Sequence, residues 1–261
     1  MTLPRFSPES DPGPDFLGLL QRLERSPSWG AGSVDTNQIT HGTTVVAIQT
    51  LEGVVMAGDR RATSGHLISH RTIEKVFPAD QHSGVAIAGA AGPAMEMVRL
   101  FQLQIEHYEK VEGRPLSLNG KANQLSQMLR SNLPAALQGL GVVPIFAGFD
   151  EKLQKGRLFE FDITGGRYEE KDFAASGSGS LHASTVLKLR HTGKLSTSEG
   201  IDLSIEALFH AADGDSATGG PDPIRGIYPV VAVINSNGFT RIEDSELATR
   251  TDTLISEITG D

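Results

Sequence analysis

The chain of 261 residues contains no cysteine. That excludes disulfides, thiolate nucleophiles and Cys-based zinc sites, and it fits a reducing compartment. Long apolar runs are missing too: residues 230–234 are among the longest, far short of the roughly 20 that a membrane-spanning helix needs. Positive charge is scarce. A net charge of −9 speaks against nucleic acid and anionic membranes as partners, since both require clustered Lys and Arg. The opening residues, Met1 to Pro8, lack the basic and apolar regions of a secretory signal, so the expectation is a cytoplasmic protein. Three catalytic signatures are also absent. Ser176, Ser178 and Ser180 lack the flanking glycines of a G-x-S-x-G elbow. Gly120-Lys121 is followed by Ala122 where a phosphate-binding loop needs a hydroxyl. His66 and His70 enclose no H-E-x-x-H pattern, and on a strand they lie too far apart to share a metal. Neither metal nor cofactor is expected.

What is present is a core-forming composition, 38% hydrophobic, enough for one large domain or one domain with an appendage. Residues 1–42 are rich in Pro, Ser, Gly and Asp, with one short amphipathic piece from Phe16 to Leu23. From Thr43 the pattern changes. Strands are expected at 43–50, 53–58, 67–69, 73–77 and 85–88. Helices follow at 94–111, with Pro93 in the first turn, and after Ser117. Strands return at 142–149, 157–163 and 168–173. A glycine-serine turn at 176–180 leads into a helix at 181–190, and another runs over 198–212 with Ser198 as cap. Strands at 228–235 and 239–242 and a helix over 245–258 finish the chain. Blocks of strands and blocks of helices favour an α+β fold: two stacked, mainly antiparallel sheets with helices outside.

The stretch His41-Gly42-Thr43-Thr44 before an apolar strand suggests a bond to be cut, with 1–42 as a prosegment and 43–261 as the catalytic domain. A threonine hydroxyl is a weak nucleophile and needs a base. A free α-amine on the same residue, with a pKa of about 7.7–8.0, can take the proton through a water. That works only if Thr43 is N-terminal. Gly42, lacking a Cβ, lets the backbone bend and expose its carbonyl to the Thr43 hydroxyl. Asp59 ends an apolar strand, where a carboxylate can neutralise a buried cation. Alternation puts Lys75 on one face with Ile73 and Phe77, which is costly unless the ammonium is paired. Beside Asp59 it could stay charged and favour a deprotonated Thr43 hydroxyl. Gly89, at a strand end before a helix, can aim a backbone N–H at a developing oxyanion. Each feature alone is also an ordinary turn or strand end.

Together, Thr43, Asp59, Arg61, Lys75, Gly89 in G-A-A-G, Ser178 in G-S-G and Asp215 with Thr218 in D-x-x-[ST]-G-G resemble the β-subunits of the 20S proteasome, of actinobacterial type, among the N-terminal nucleophile hydrolases. Many relatives carry serine where this chain has Thr218, which keeps the hydroxyl. The resemblance implies a four-layer αββα sandwich and a threonine endopeptidase. It gives Thr43 as nucleophile, Lys75 and Asp59 as its tuning pair supported by Arg61, and the Gly89 N–H as oxyanion donor. Ser178, Asp215 and Thr218 would hold the amine and its water. The backbone of Thr63 and Ala91 would grip the substrate as an added strand. The primary specificity pocket would comprise Ala62, Ile73, Phe77, Ile87, Ala91 and Met95, implying cleavage after large hydrophobic residues. It also implies cleavage at Gly42–Thr43 by the chain itself and homoheptameric β rings stacked between α-subunit rings. An ATPase ring would feed protein substrates tagged with a ubiquitin-like modifier. The rival readings are a bacterial two-ring ATP-dependent threonine peptidase, disfavoured by the leader and chain length, and a non-catalytic ring subunit, disfavoured by the intact Thr43, Asp59 and Lys75.

Overall fold

Strands β1 (Thr44–Gln49), β2 (Gly53–Gly58) and β11 (Val230–Asn235) are near-continuous apolar runs because both their faces are covered. Their alternating side chains serve two different cores. Val46, Ile48, Val55, Ala57, Val231 and Val233 meet helices. Val45, Ala47, Val54, Met56, Ala232 and Ile234 meet a second sheet. A period of two along each strand therefore builds two cores at once.

The computed structural model describes residues 42–65 and 67–260. The proposed prosegment up to His41, its amphipathic piece from Phe16 to Leu23 and the His66 half of the histidine pair lie outside the described residues. The first sheet has strand order β10-β1-β2-β11-β12, where β10 is Phe173–Gly177 and β12 is Gly238–Arg241. The second has order β5-β6-β7-β8-β9, from β5 (Val76–Asp80), β6 (Ser83–Gly89), β7 (Val142–Asp150), β8 (Lys155–Phe161) and β9 (Arg167–Glu170). Every pairing is antiparallel. A separate hairpin joins β3 (Ala62–Ser64) to β4 (Leu67–His70).

Helices α1 (Ala91–Glu112) and α2 (Leu118–Ala135) pack on the second sheet through Phe101, Ile105, Leu125 and Leu129 against Phe146 and Phe159. Helices α3 (Ser180–Arg190), α4 (Thr197–Gly214) and α5 (Asp244–Thr259) pack on the first. The layers run helix, sheet, sheet, helix, the αββα sandwich expected from the sequence.

Three expectations are corrected. The strand expected at 73–77 begins only at Val76. Ile73 N–H turns to the Arg60 carbonyl at 3.1 Å, so residues 73–75 run alongside the site before joining the sheet. The single strand expected at 168–173 is two, β9 in one sheet and β10 in the other. Lys171-Asp172 carries the chain between them. The cap of α4 is Ser196, not Ser198. Its side chain accepts from the Glu199 N–H while Glu199 accepts from the Ser196 N–H, a reciprocal box that Ser198 could not form. The caps and turns expected at Ser117 and Pro93 match the structure.

Candidate active site

Thr43 immediately precedes β1 and is buried, 6% exposed. Its carbonyl accepts the Ser178 N–H at 2.9 Å, which ties it to the end of β10. Gly42 sits in a slot with no room for a side chain: a Cβ there would lie 1.8 Å from the Ala217 Cβ. The Gly42 N–H donates to Thr63 Oγ1 at 3.1 Å. The peptide between Gly42 and Thr43 is therefore pinned from both sides by β3, β10 and the 215–218 turn.

Asp59 follows β2 and is completely buried. Its Oδ1 accepts the Thr44 N–H at 2.8 Å and Lys75 Nζ at 2.6 Å. Oδ2 accepts the N–H groups of Arg61 at 2.9 Å and Gly219 at 2.8 Å. A buried carboxylate with four donors is the arrangement that can hold a cation out of water. That cation is Lys75, 3% exposed, whose Nζ also donates to the Arg61 carbonyl at 2.6 Å. Burial pushes the Lys75 ammonium below the ordinary lysine range. The Asp59 carboxylate offsets part of this, and the Arg61 guanidinium adds to it. An ammonium so placed releases or shares a proton more readily than an exposed lysine, which suits a group that tunes a neighbouring hydroxyl.

A second hydrogen-bonded chain runs on the other side of Thr43. Ser178 Oγ lies 3.5 Å from the Thr43 carbonyl oxygen and donates to Asp215 Oδ2 at 2.5 Å. Thr218 Oγ1 donates to the same oxygen at 2.6 Å and so accepts from Thr44 Oγ1 at 2.5 Å. The Gly179 N–H closes the chain on Thr44 Oγ1 at 2.9 Å. Burial pushes the Asp215 carboxyl up, but hydrogen bonds from Ser178, Thr218 and the Ala217 N–H, with His182 nearby, outweigh it and hold it below its usual value.

Gly89 ends β6 with φ +117, and a Cβ there would meet the Gly141 carbonyl oxygen at 2.2 Å, so only glycine fits. Along β6 the Ile87 N–H donates to the Lys75 carbonyl and the Ala90 N–H to Gly141. Alternation turns the Gly89 N–H to the same side as that of Ile87, where Lys75 and Thr43 lie.

Thr43, Lys75 and Gly89 line one cleft together with Ala62, Ile73, Ile87, Ala91 and Met95. Phe77 is not on that wall. It is half-buried and packs on the core between the second sheet and α1. Ala94 and Glu74 line the cleft in addition. Thr44 is the participant that the sequence reading passed over, while Ala217 and Gly219 stood in the D-x-x-[ST]-G-G motif without a role of their own. The signal for Thr44 was there: a buried hydroxyl opening an apolar strand needs a partner. Among the described residues no group of His, Asp or Glu could hold a metal ion.

Comparison with known proteins gives concordant matches. A family model described as "Proteasome subunit" matches residues 39–224. A protein of Acidimicrobium ferrooxidans named "Proteasome subunit beta" is 57% identical over 249 residues, covering 95% of this chain and 91% of its own. Proteins of the same name from Jonesia denitrificans and Streptomyces griseus are 56% and 52% identical, covering 85% and 92% of this chain and 73% and 81% of theirs.

Proposed function

The chain belongs to the proteasome subunit family, and from that premise we propose that it is a β-type threonine endopeptidase whose activity is released by cutting its own Gly42–Thr43 bond. It is a subunit of the 20S core and works in a ring assembly with α-subunits. The observation that supports the catalytic reading best is the buried Asp59–Lys75 pair, 2.6 Å apart, whose lysine stands in the wall of the cleft that Thr43 lines.

In the first reaction Thr43 Oγ attacks the Gly42 carbonyl carbon. The C–N bond to Thr43 breaks, an ester links Gly42 to the threonine oxygen, and water hydrolyses it. The fixed Gly42 supports this step, because pinning the scissile carbonyl next to the nucleophile removes much of the entropic cost of meeting it. The freed amine then serves as the base for substrates, through a water held by Ser178, Asp215 and Thr218. Thr43 Oγ attacks the substrate carbonyl. Lys75, with Asp59 and Arg61 behind it, stabilises the developing alkoxide, and the Gly89 N–H takes the tetrahedral oxyanion. Collapse expels the amine product, and water hydrolyses the remaining acyl ester. Thr63 and Ala91 present backbone to an extended substrate, and the apolar wall of Ala62, Ile73, Ile87 and Met95 accepts a large hydrophobic residue before the cut. Phe77 would shape that wall from the layer beneath.

The β ring is homoheptameric and stacks with α rings, an ATPase ring delivers substrates marked with a ubiquitin-like tag, and the particle works in the cytoplasm; each of these goes with the family reading. No described helix is long and apolar enough to cross a membrane. Co-expression with an α-subunit tests the proposal. Cleavage of peptides with a large hydrophobic residue before the cut, faster than of basic ones, is expected. Preference for basic residues would contradict the pocket assignment.

A further inference from the structure

A second cleft lies apart from the one that Thr43 lines, with Arg61 on its border. Arg60, Arg61, Arg71, Gly219, Asp222 and Tyr228 are among the residues that line it. Its charge is unbalanced. The acid among these six, Asp222, is engaged by Arg225 at 2.5 Å, and the Arg71 charge beside it also helps to hold its carboxyl below the usual range, so one carboxylate is shared between two guanidiniums. Among the described residues Arg61 and Arg71 form no ion pair. Arg61 Nη1 has only the Ser216 carbonyl, at 3.0 Å. Arg60 donates through Nη2 to the Thr72 carbonyl at 3.3 Å and reaches Asp244 at no closer than 3.8 Å, while its Nε is buried without a hydrogen-bond partner. In a chain of net charge −9, three guanidiniums gathered with this little compensation call for a ligand. A guanidinium fork matches a carboxylate or phosphate, and a buried donor costs free energy until an acceptor is supplied.

The cleft is also wired to the catalytic pair. The Arg61 N–H donates to Asp59 and the Arg61 carbonyl accepts Lys75 Nζ, while the Gly219 N–H donates to Asp59. We propose that this cleft binds an oxyanion of the carboxylate or phosphate class, and that its occupancy holds Arg61 and Gly219 in the geometry that fixes Asp59 and Lys75. The link to catalysis rests on Thr43 being the nucleophile. The anion has two possible sources, a side-chain carboxylate of a neighbouring copy or a free anion in solution. Arg60 and Arg71 are positioning residues, since neither touches the reacting atoms.

The test uses the particle assembled with its α-subunits, comparing wild type with Arg71→Ala, Arg71→Lys and Arg60→Gln. Peptide kcat and KM are measured while inorganic phosphate replaces chloride at constant ionic strength, and assembly is read by native mass spectrometry. For a free anion, phosphate raises wild-type kcat about fivefold with KM unchanged, and Arg71→Ala abolishes the response. For a neighbouring copy, phosphate does nothing, while Arg71→Ala lowers both kcat and the share of complete particles and Arg71→Lys recovers part of each. Both results support the site. An active wild type that both neutral variants match in kcat, phosphate response and assembly overturns it. An inactive wild type would count instead against the Thr43 reading. The cleft would then stand or fall on whether Arg71→Ala alters assembly or the phosphate dependence of the melting temperature.

Discussion

Replacing Asp59 by asparagine keeps the shape of the side chain and removes its charge, so it isolates what the carboxylate does. Each Asp59 oxygen accepts two donors: the Thr44 N–H and Lys75 on Oδ1, the Arg61 and Gly219 N–H groups on Oδ2. An amide placed either way round turns its NH2 against two of them. Lys75 meanwhile keeps only the Arg61 carbonyl for a buried ammonium. Removing one member of a buried ion pair costs about 3–5 kcal/mol, and at about 2–4 °C per kcal/mol the melting temperature falls by roughly 6–20 °C. Stripped of its counter-charge, Lys75 sheds its proton, and kcat falls about a hundredfold or more. Thermal unfolding of the isolated chain and peptide hydrolysis by the assembled particle measure the two effects separately. An Asp59→Asn protein that melts within about 2 °C of wild type and cleaves peptide at the wild-type rate would show that the carboxylate neither holds the fold nor keeps Lys75 charged.

Three further outcomes are expected. Gly42→Ala places a Cβ 1.8 Å from the Ala217 Cβ, 2.7 Å from its Cα and 2.8 Å from its carbonyl oxygen, so self-cleavage, read by intact mass over time, slows at least about tenfold; Ala217→Gly added to it recovers little, because the backbone contacts remain. Thr218→Val leaves the Thr44 hydroxyl and Asp215 each short of a partner, costing about 1–3 kcal/mol in denaturant unfolding, whereas Thr218→Ser stays close to wild type. Asp162 is held down to about 2 by hydrogen bonds from Thr164 first, then Gly166 and Tyr168. A depressed carboxyl stabilises the fold above its unfolded value and loses that contribution as pH falls. The stability carried by Asp162 therefore fades between its ordinary range near 3.8 and about 2, and NMR titration of its carboxyl carbon checks this.

The layered fold was legible because β1, β2 and β11 spend both faces on burial and so read as unbroken apolar runs. Lys75 and Asp59 were legible for the opposite reason, as charges where apolar residues belong. What escaped depends on contacts between distant stretches. Thr44 and Thr218 are 174 residues apart, and no local pattern announces that their hydroxyls meet. The late start of β5 follows from Ile73 bonding to Arg60 and Lys75 reaching Asp59. Alternation alone could not anticipate that tertiary pull, and it also drew Phe77 onto the cleft wall. The β9–β10 break was hidden because Arg167–Glu170 and Phe173–Gly177 both suit strands. Only the pairing of β10 with β1 shows that the chain changes sheets between them.

The proposed mechanism turns on residue 43 acting as the nucleophile once it is exposed as an N-terminus. The most direct measurement treats the co-assembled particle with an electrophilic peptide and maps the adduct by mass spectrometry. The expected result is a chain that begins at Thr43 and carries the label on that residue, with Thr43→Ala unlabelled and still joined to residues 1–42. A label on another side chain, or a mature chain beginning at Thr44, would contradict it.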